Sequence, residues 1–338
     1  MRHLLLTTIL VSFLSACQPD EPVDTLAATP YEWTLPPGFP QPLESADHPT
    51  TVERVALGKE LFYDPILSED GTVSCASCHV PELAFAHNQA VSPGVHGRLG
   101  LRNSATLTNV GYASRLNKDG GVPKLDIQAL VPISDVNEMN LSMEEAIARL
   151  NVDAEYRQQF ERAYGTEANL YNVPRALAAF MRTLISGESP YDRFVRGEQS
   201  ALTAAQQAGM SLFFSERLAC ASCHSGFNFT NDSFVNNGLY LDYGADPGRQ
   251  RVTIDTADVG AFRVPTLRNI ALTAPYMHDG SLADLKAVVA HYNRGGQARP
   301  LQDERIRPLG LSEQETDQLI AFLQALTDTA FVYNPQFR

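Results

Sequence analysis

This chain has little capacity for disulfides. Of its five cysteines, four fall in two identical pentapeptides and the fifth, Cys17, is left without a partner. Tryptophan is nearly absent, with Trp33 as the only one in 338 residues. Basic residues are outnumbered, 26 Lys and Arg against 39 Asp and Glu, and the net charge of −13 argues against nucleic acid or an anionic lipid surface as a partner. Beyond the N-terminus no apolar run is long enough to span a bilayer. A hydrophobic content of 44% supports real cores, and the length suits two domains of ordinary size.

What is present is Cys75-Ala76-Ser77-Cys78-His79, repeated as Cys220-Ala221-Ser222-Cys223-His224. C-x-x-C-H is the attachment signature of a c-type haem: the two thiols bond to the vinyl groups and the histidine ligates the iron. A zinc knuckle or a redox dithiol would share the C-x-x-C, but neither needs the trailing histidine twice. Two covalently attached haems are therefore expected.

Covalent haem belongs to an exported protein, and the N-terminus agrees. Arg2 and His3 precede an apolar stretch, Leu4 to Leu14, too short for a good membrane span. Leu14-Ser15-Ala16-Cys17 is similar to a bacterial lipobox, which makes residues 1–16 a signal peptide and Cys17 the lipidated first residue of a periplasm-facing protein held to the membrane by that anchor only. An ordinary cleaved signal with an incidental Cys17 is the alternative. Residues 17–30, with three prolines and three acidic groups, read as a disordered linker.

The two haem motifs are preceded by matching patterns, Gly58-x-x-Leu61-Phe62-Tyr63 and Gly209-x-x-Leu212-Phe213-Phe214, and their histidines lie 145 residues apart (224 − 79). This spacing predicts two diverged copies of one cytochrome c-like unit, 31–192 and 193–338, in a mainly α fold with long loops and little strand. Apolar periodicity places helices from Val52, from Ser142 to Leu150 behind a capping box with Glu145, over Ala154–Tyr164, over Val173–Ser186, and over Leu311–Thr327. Residues 234–263 read as a long loop with room for a short hairpin.

Further stretches carry a specific resemblance. Gly58-Lys59-Glu60-Leu61-Phe62-Tyr63-Asp64, Arg102-Asn103-Ser104-Ala105-Thr106, Gln128-Ala129-Leu130-Val131-Pro132-Ile133, Asn137-Glu138-Met139, Arg263 to Asn269 and Ala274 to Gly280 resemble the bacterial di-haem cytochrome c peroxidase and MauG superfamily over about residues 57–326. The Trp33-x-Leu35-Pro36-x-Gly38-Phe39-Pro40 stretch is also similar to MbnH-type members of the MauG-like branch. The resemblance implies that the haem on His79 is the peroxide site, with Gln128, Pro132 and Glu138 in its distal pocket. Glu138 would be the acid/base that takes a proton from peroxide and returns it to the leaving oxygen. On its pattern alone, Glu138 reads as a helix-terminus or surface glutamate; the motif match is what makes it catalytic.

The haem on His224 would be the electron-transfer haem, with Tyr292 opposite the histidine as in the MauG-type branch; in the peroxidase branch a methionine stands there. Leu282, Leu285, Val289 and Tyr292 share one helical face, and a core tyrosine with Met277 or His278 as ligand is the alternative. A phenolate is a hard anionic donor that lowers the iron potential relative to a thioether. The resemblance also implies a calcium ion held by the Asn103 side chain and the Thr273 and Pro275 carbonyls. One departure stands out: the family usually carries tryptophan before an Asp-Gly between the haems, and here Lys118 precedes Asp119-Gly120. A lysine cannot relay a hole as an indole can, which leaves another aromatic such as Tyr112, or direct transfer. His96 lies near a position where some members carry a blocking histidine, but the spacing to Gly100 is one residue short, and it reads as a loop residue.

Three functions follow as expectations: a peroxidase drawing electrons from a small cytochrome or cupredoxin, an enzyme oxidising tryptophan or tyrosine side chains of a partner protein, and a simple electron-transfer cytochrome. Glu138 and the Gln128–Pro132 element speak against the third.

Overall fold

Two helix crossings, each built on a glycine, carry the architecture. A computed structural model describes residues 28–297 and 300–338; the signal segment, Cys17 and most of the 17–30 linker lie outside them. In chain order the longer helices are α1 (Val52–Tyr63), α2 (Met143–Val152), α3 (Ala154–Tyr164), α4 (Asn172–Arg182), α5 (Ala204–Phe213), α6 (Leu285–Arg294) and α7 (Glu313–Gln324). α1 crosses α4 at Gly58, where an added Cβ would lie 1.8 Å from the Ala176 carbonyl oxygen. α5 crosses α7 at Gly209, where it would lie 1.9 Å from that of Gln318. No side chain fits at either place, and this explains why the two haem motifs share the Gly-x-x-Leu-Phe pattern ahead of them. Around the first crossing Leu57, Phe62 and Phe180 are buried, and around the second Phe213, Leu319 and Phe322.

The local signals act as their chemistry dictates. Thr51, Ser142, Asp153 and Ser312 cap α1, α2, α3 and α7, and Gly165 ends α3 in a left-handed conformation (φ 68°). The expected reciprocal box at α2 forms only in part: Ser142 Oγ accepts from Glu145 N at 3.1 Å, but the Glu145 carboxylate turns to Arg149 Nε at 3.1 Å. The expected 173–186 helix stops at Arg182, and buried Leu184 follows it. α6 begins at Leu285, so Leu282 is not on its face; it pairs instead with Tyr276 in an isolated bridge. The long 234–263 loop is closed by a two-residue antiparallel pair, Phe234–Val235 against Phe262–Arg263.

The repeat extends beyond the helix pairs at a constant offset of 160 residues (269 − 109). Thr106-Leu107-Thr108-Asn109 corresponds to Thr266-Leu267-Arg268-Asn269, and Asn117-Lys118-Asp119-Gly120 to Met277-His278-Asp279-Gly280. Asn109 and Asn269 are both left-handed, as are Asn117 and Met277, and Gly120 and Gly280. Both latter turns are closed by bridges, Leu116 with Val122 and Tyr276 with Leu282. A division at 192/193 is nevertheless crossed by the tail: Phe331, Val332 and Phe337 are buried in the first cluster, with the Phe331 ring 5.8 Å from that of Phe85.

Gly209→Ala would force the α5 and α7 backbones apart. The expected loss is about 3 kcal/mol or more, as for severe overpacking, read as a fall in the denaturant midpoint of the haem-loaded protein. An unchanged midpoint would show that the crossing is not close-packed.

Candidate haem sites and the junction between them

Both motifs lie on short turns that begin after the helix crossings and aim their histidines inward. His79 Nδ1 lies 3.0 Å from the Phe85 carbonyl oxygen, and His224 Nδ1 lies 3.1 Å from that of Phe229. A carbonyl only accepts, so each Nδ1 carries the proton and each Nε2 presents a lone pair. This is the arrangement in which a second hydrogen bond orients a metal-binding imidazole. Phe85 and Phe229 are both left-handed, φ 58° and 50°, a conformation that side chains rarely adopt. Burial holds both imidazoles below the ordinary histidine range, which keeps them neutral and available to iron. Cys75, Cys78, Cys220 and Cys223 form no disulfides with one another.

The residues fit haem at both motifs. At the second, a largely apolar cavity is lined by Cys220, Cys223, His224, Leu285, Val289 and Tyr292. Arg263 also lines it, and its buried Nε has no partner, a donor that a haem propionate would satisfy. At the first, Gln128 Nε2 donates to Asn117 Oδ1 at 2.8 Å while its buried Oε1 has no partner.

Glu138 lies near the first haem motif. Its charge contributes to raising the thiols of Cys75 and Cys78, which places its carboxylate on their side of the unit. The side chain keeps an exposed edge, yet burial of its carboxyl, with the Asp135 charge added, pushes that carboxyl up to about 7. Pro132 lies in the short helix Leu130–Ser134, and its carbonyl accepts from Met139 N at 3.1 Å, tying that helix to the Glu138 turn. A second loop fixes the turn from outside. Val95 N donates to the Glu138 carbonyl at 2.8 Å, and a Cβ on Gly94 would lie 2.2 Å from the Asn137 oxygen and 2.4 Å from that of Glu138. His96, in the same loop, is half-exposed and bonds Glu69 at 3.0 Å; it is a surface contact of the loop.

At the second site Tyr292 and Met277 line the same cavity as His224. Asn237 Nδ2 lies 3.3 Å from Met277 Sδ and 3.5 Å from Tyr292 Oη. Burial pushes the Tyr292 phenol above its ordinary range, opposed by Asn237. His291 is committed elsewhere, its Nε2 3.0 Å from the Asn237 carbonyl, and the His278 ring stacks on Phe262 with centroids 4.1 Å apart. Sequence reasoning missed Asn237, Asn117 and Gly94: each acts from a loop, where no periodicity marks a position.

Asn103, Thr273 and Pro275 line the same second cavity, together with Lys118. Lys118 Nζ is 3.5 Å from Asn103 Oδ1 and 3.2 Å from the Met277 carbonyl. Burial, with Arg102 close by, pushes its amine down to about 8, so it carries its charge at neutral pH. A calcium ion about 2.4 Å from Asn103 Oδ1 would lie within about 6 Å of that ammonium, a repulsion of about 5 kcal/mol at an effective dielectric of 20. The three expected calcium donors are neutral oxygens, and the Asp279 and Asp246 charges nearby are already shared with Lys118, Arg102 and Arg263. As arranged, the donor set does not fit calcium. Tyr112 packs on Phe227, centroids 4.9 Å apart, and its buried hydroxyl has no partner.

Two repeated helical units, each presenting paired thiols and an iron-ready imidazole, define a di-haem c-type cytochrome fold. Residues 52–200 match the family described as di-haem cytochrome c peroxidase. The methylamine utilization protein MauG of Methylorubrum extorquens is 39% identical over 92% of this chain and 88% of its own. Cytochrome-c peroxidase IdrP1 of Denitromonas iodatirespirans is 36% identical over 87% and 86%. The crystal structure of a MauG-like protein associated with microbial copper homeostasis superposes with a TM-score of 0.86 at 35% identity, over 91% of this chain and 99% of that one. The chain belongs to the di-haem cytochrome c peroxidase family.

Gly94→Ala would push the outer loop off the Glu138 turn. A loss of about 1–3 kcal/mol is expected, measured by denaturation, with haem content still two per chain by pyridine haemochrome assay. Unaltered stability would mean that the loop does not clamp the turn.

Proposed function

We propose that this protein is a di-haem enzyme that consumes hydrogen peroxide at the His79 site and exchanges electrons through the His224 site. The observation that carries the reading is Glu138: a carboxyl pushed up to about 7, on the side of Cys75 and Cys78, within a turn clamped by two loops. An electron-transfer cytochrome has no use for a raised carboxyl there. A haem on His79 supplies the iron at which peroxide is reduced, and the proton handling falls to the protein. As carboxylate, Glu138 accepts a proton from peroxide; as acid, it returns that proton to the oxygen leaving as water. The unpaired Gln128 Oε1 offers an acceptor that orients the incoming peroxide, and Pro132 shapes the same wall. Reduction of one peroxide to two waters takes two electrons and two protons. The electrons come from a small donor protein, a cytochrome or cupredoxin, for which the acidic surface favours a basic partner.

A second reading has its own support. Tyr292, beside Asn237 in the cavity that His224 also lines, fits the MauG-like branch, in which a partner protein's tryptophan or tyrosine side chains are oxidised. The N-terminal signal segment and Cys17 support export to the periplasmic side with a lipid anchor, and no helix among the described residues is long and apolar enough to cross a membrane.

Glu138→Gln is expected to lower kcat/KM for peroxide by about 10²–10⁴-fold while two haems per chain are retained. Because the carboxyl is raised and the first step needs its carboxylate, wild-type kcat/KM should rise as pH passes upward through about 7, and Glu138→Gln should lose that inflection. Full turnover by Glu138→Gln would end the assignment. For the second site, Tyr292→Phe should change the optical and electron-spin spectra of the His224 haem and raise its potential, while Met277→Leu leaves both in place. The reverse pattern would give the ligand position to Met277.

A further inference from the structure

The two units meet at a junction where a charged side chain does something its repeat counterpart does not. At the 160-residue offset Lys118 corresponds to His278, whose ring lies flat on Phe262. Lys118 instead sends its ammonium across the junction, to the Met277 carbonyl in the second repeat at 3.2 Å and to Asn103 Oδ1 in the first at 3.5 Å. Its own carbonyl accepts from Arg263 N at 2.7 Å, so the residue is held from both ends. Asn103 is likewise gripped on three sides: its backbone N donates to the His278 carbonyl at 2.8 Å and its Nδ2 to the Gln89 carbonyl at 3.1 Å, which leaves Oδ1 facing the ammonium. An ammonium donates three hydrogen bonds to oxygens and brings one positive charge. These are the services of a bound cation at such a crossing, and the ammonium already faces Asn103 Oδ1, the side-chain oxygen expected to hold a metal.

We propose that the Lys118 ammonium is the resident cation of the inter-domain junction, joining the Asn103 loop to the Met277 loop in place of a calcium ion, so that the assembled di-haem protein neither holds nor requires calcium. Lys118 is a positioning residue here: it touches neither haem ligand but fixes the loop that carries Met277 into the cavity shared with Tyr292 and His224. The inference does not depend on which substrate the protein uses, and its test needs no turnover.

The experiment uses the haem-loaded wild-type protein, purified without chelators at neutral pH. Calcium content is read by plasma mass spectrometry, and the melting midpoint and haem spectrum are followed with excess EGTA and with 10 mM calcium chloride. The expected result is calcium far below one per chain, with midpoint and spectrum unmoved by either addition. In parallel, Lys118→Met removes the ammonium and frees Asn103 Oδ1. Its midpoint should fall by about 2–8 °C and recover in part with calcium chloride, accompanied by a shift in the spectrum of the His224 haem; Lys118→Arg should stay indifferent to calcium. One calcium per wild-type chain, removable by EGTA with a loss of midpoint, would overturn the proposal whether or not the variants fold. So would a Lys118→Met protein as stable as wild type and equally blind to calcium.

Discussion

Two buried asparagines hold the molecule together at its centre. Asn109 and Asn269 are 1% and 0% exposed, both left-handed, and each uses its backbone N to bind the end of the chain segment after a helix, the carbonyls of Leu184 and Leu326. Each Oδ1 accepts from a backbone N just beyond, Ser186 and Asp328. The two then meet: Asn269 Nδ2 reaches Ser186 Oγ at 3.0 Å, and Ser186 Oγ donates to Asp328 at 3.1 Å. Burying an amide without partners costs about 1–3 kcal/mol per lost bond, so the network tolerates only one relative placement of the units. The inward-facing histidines and the junction between them inherit that placement.

Against this frame the two halves differ where their chemistry must. Asn117 and Met277 are repeat counterparts with the same left-handed backbone, yet Asn117 receives the Gln128 amide while Met277 lies in a cavity with Tyr292. One half carries a raised carboxyl, and the other a cavity lined by a phenol. Duplication supplies two related scaffolds, and a few loop side chains set them apart.

Much of this was legible in the sequence, for identifiable reasons. The haem attachment residues are read directly because covalent chemistry demands a fixed spacing. Gly58 and Gly209 could be paired because a backbone contact leaves no room for substitution. The C-terminal end of α3 was readable from Gly165, whose preference is local. What could not be read depends on contacts distant in the chain. Leu282 satisfies the helical pattern but is taken by its bridge to Tyr276. Glu145 satisfies the capping box but is drawn to Arg149. Lys118 stood out only as a departure, and its partners Asn103 and Met277, the latter 159 residues away, become visible only once the units are docked.

The tail that returns to the first unit has a consequence for assembly. Phe85 supplies the carbonyl that orients His79, and its ring is 0% exposed because Phe331 and Phe337 cover it at 5.8 and 6.3 Å. The histidine of the first haem motif is thus steadied by a residue sealed over by the last ten of the chain. The core of the first unit is therefore complete only when the C-terminal tail, which follows the second unit in the chain, has packed onto it.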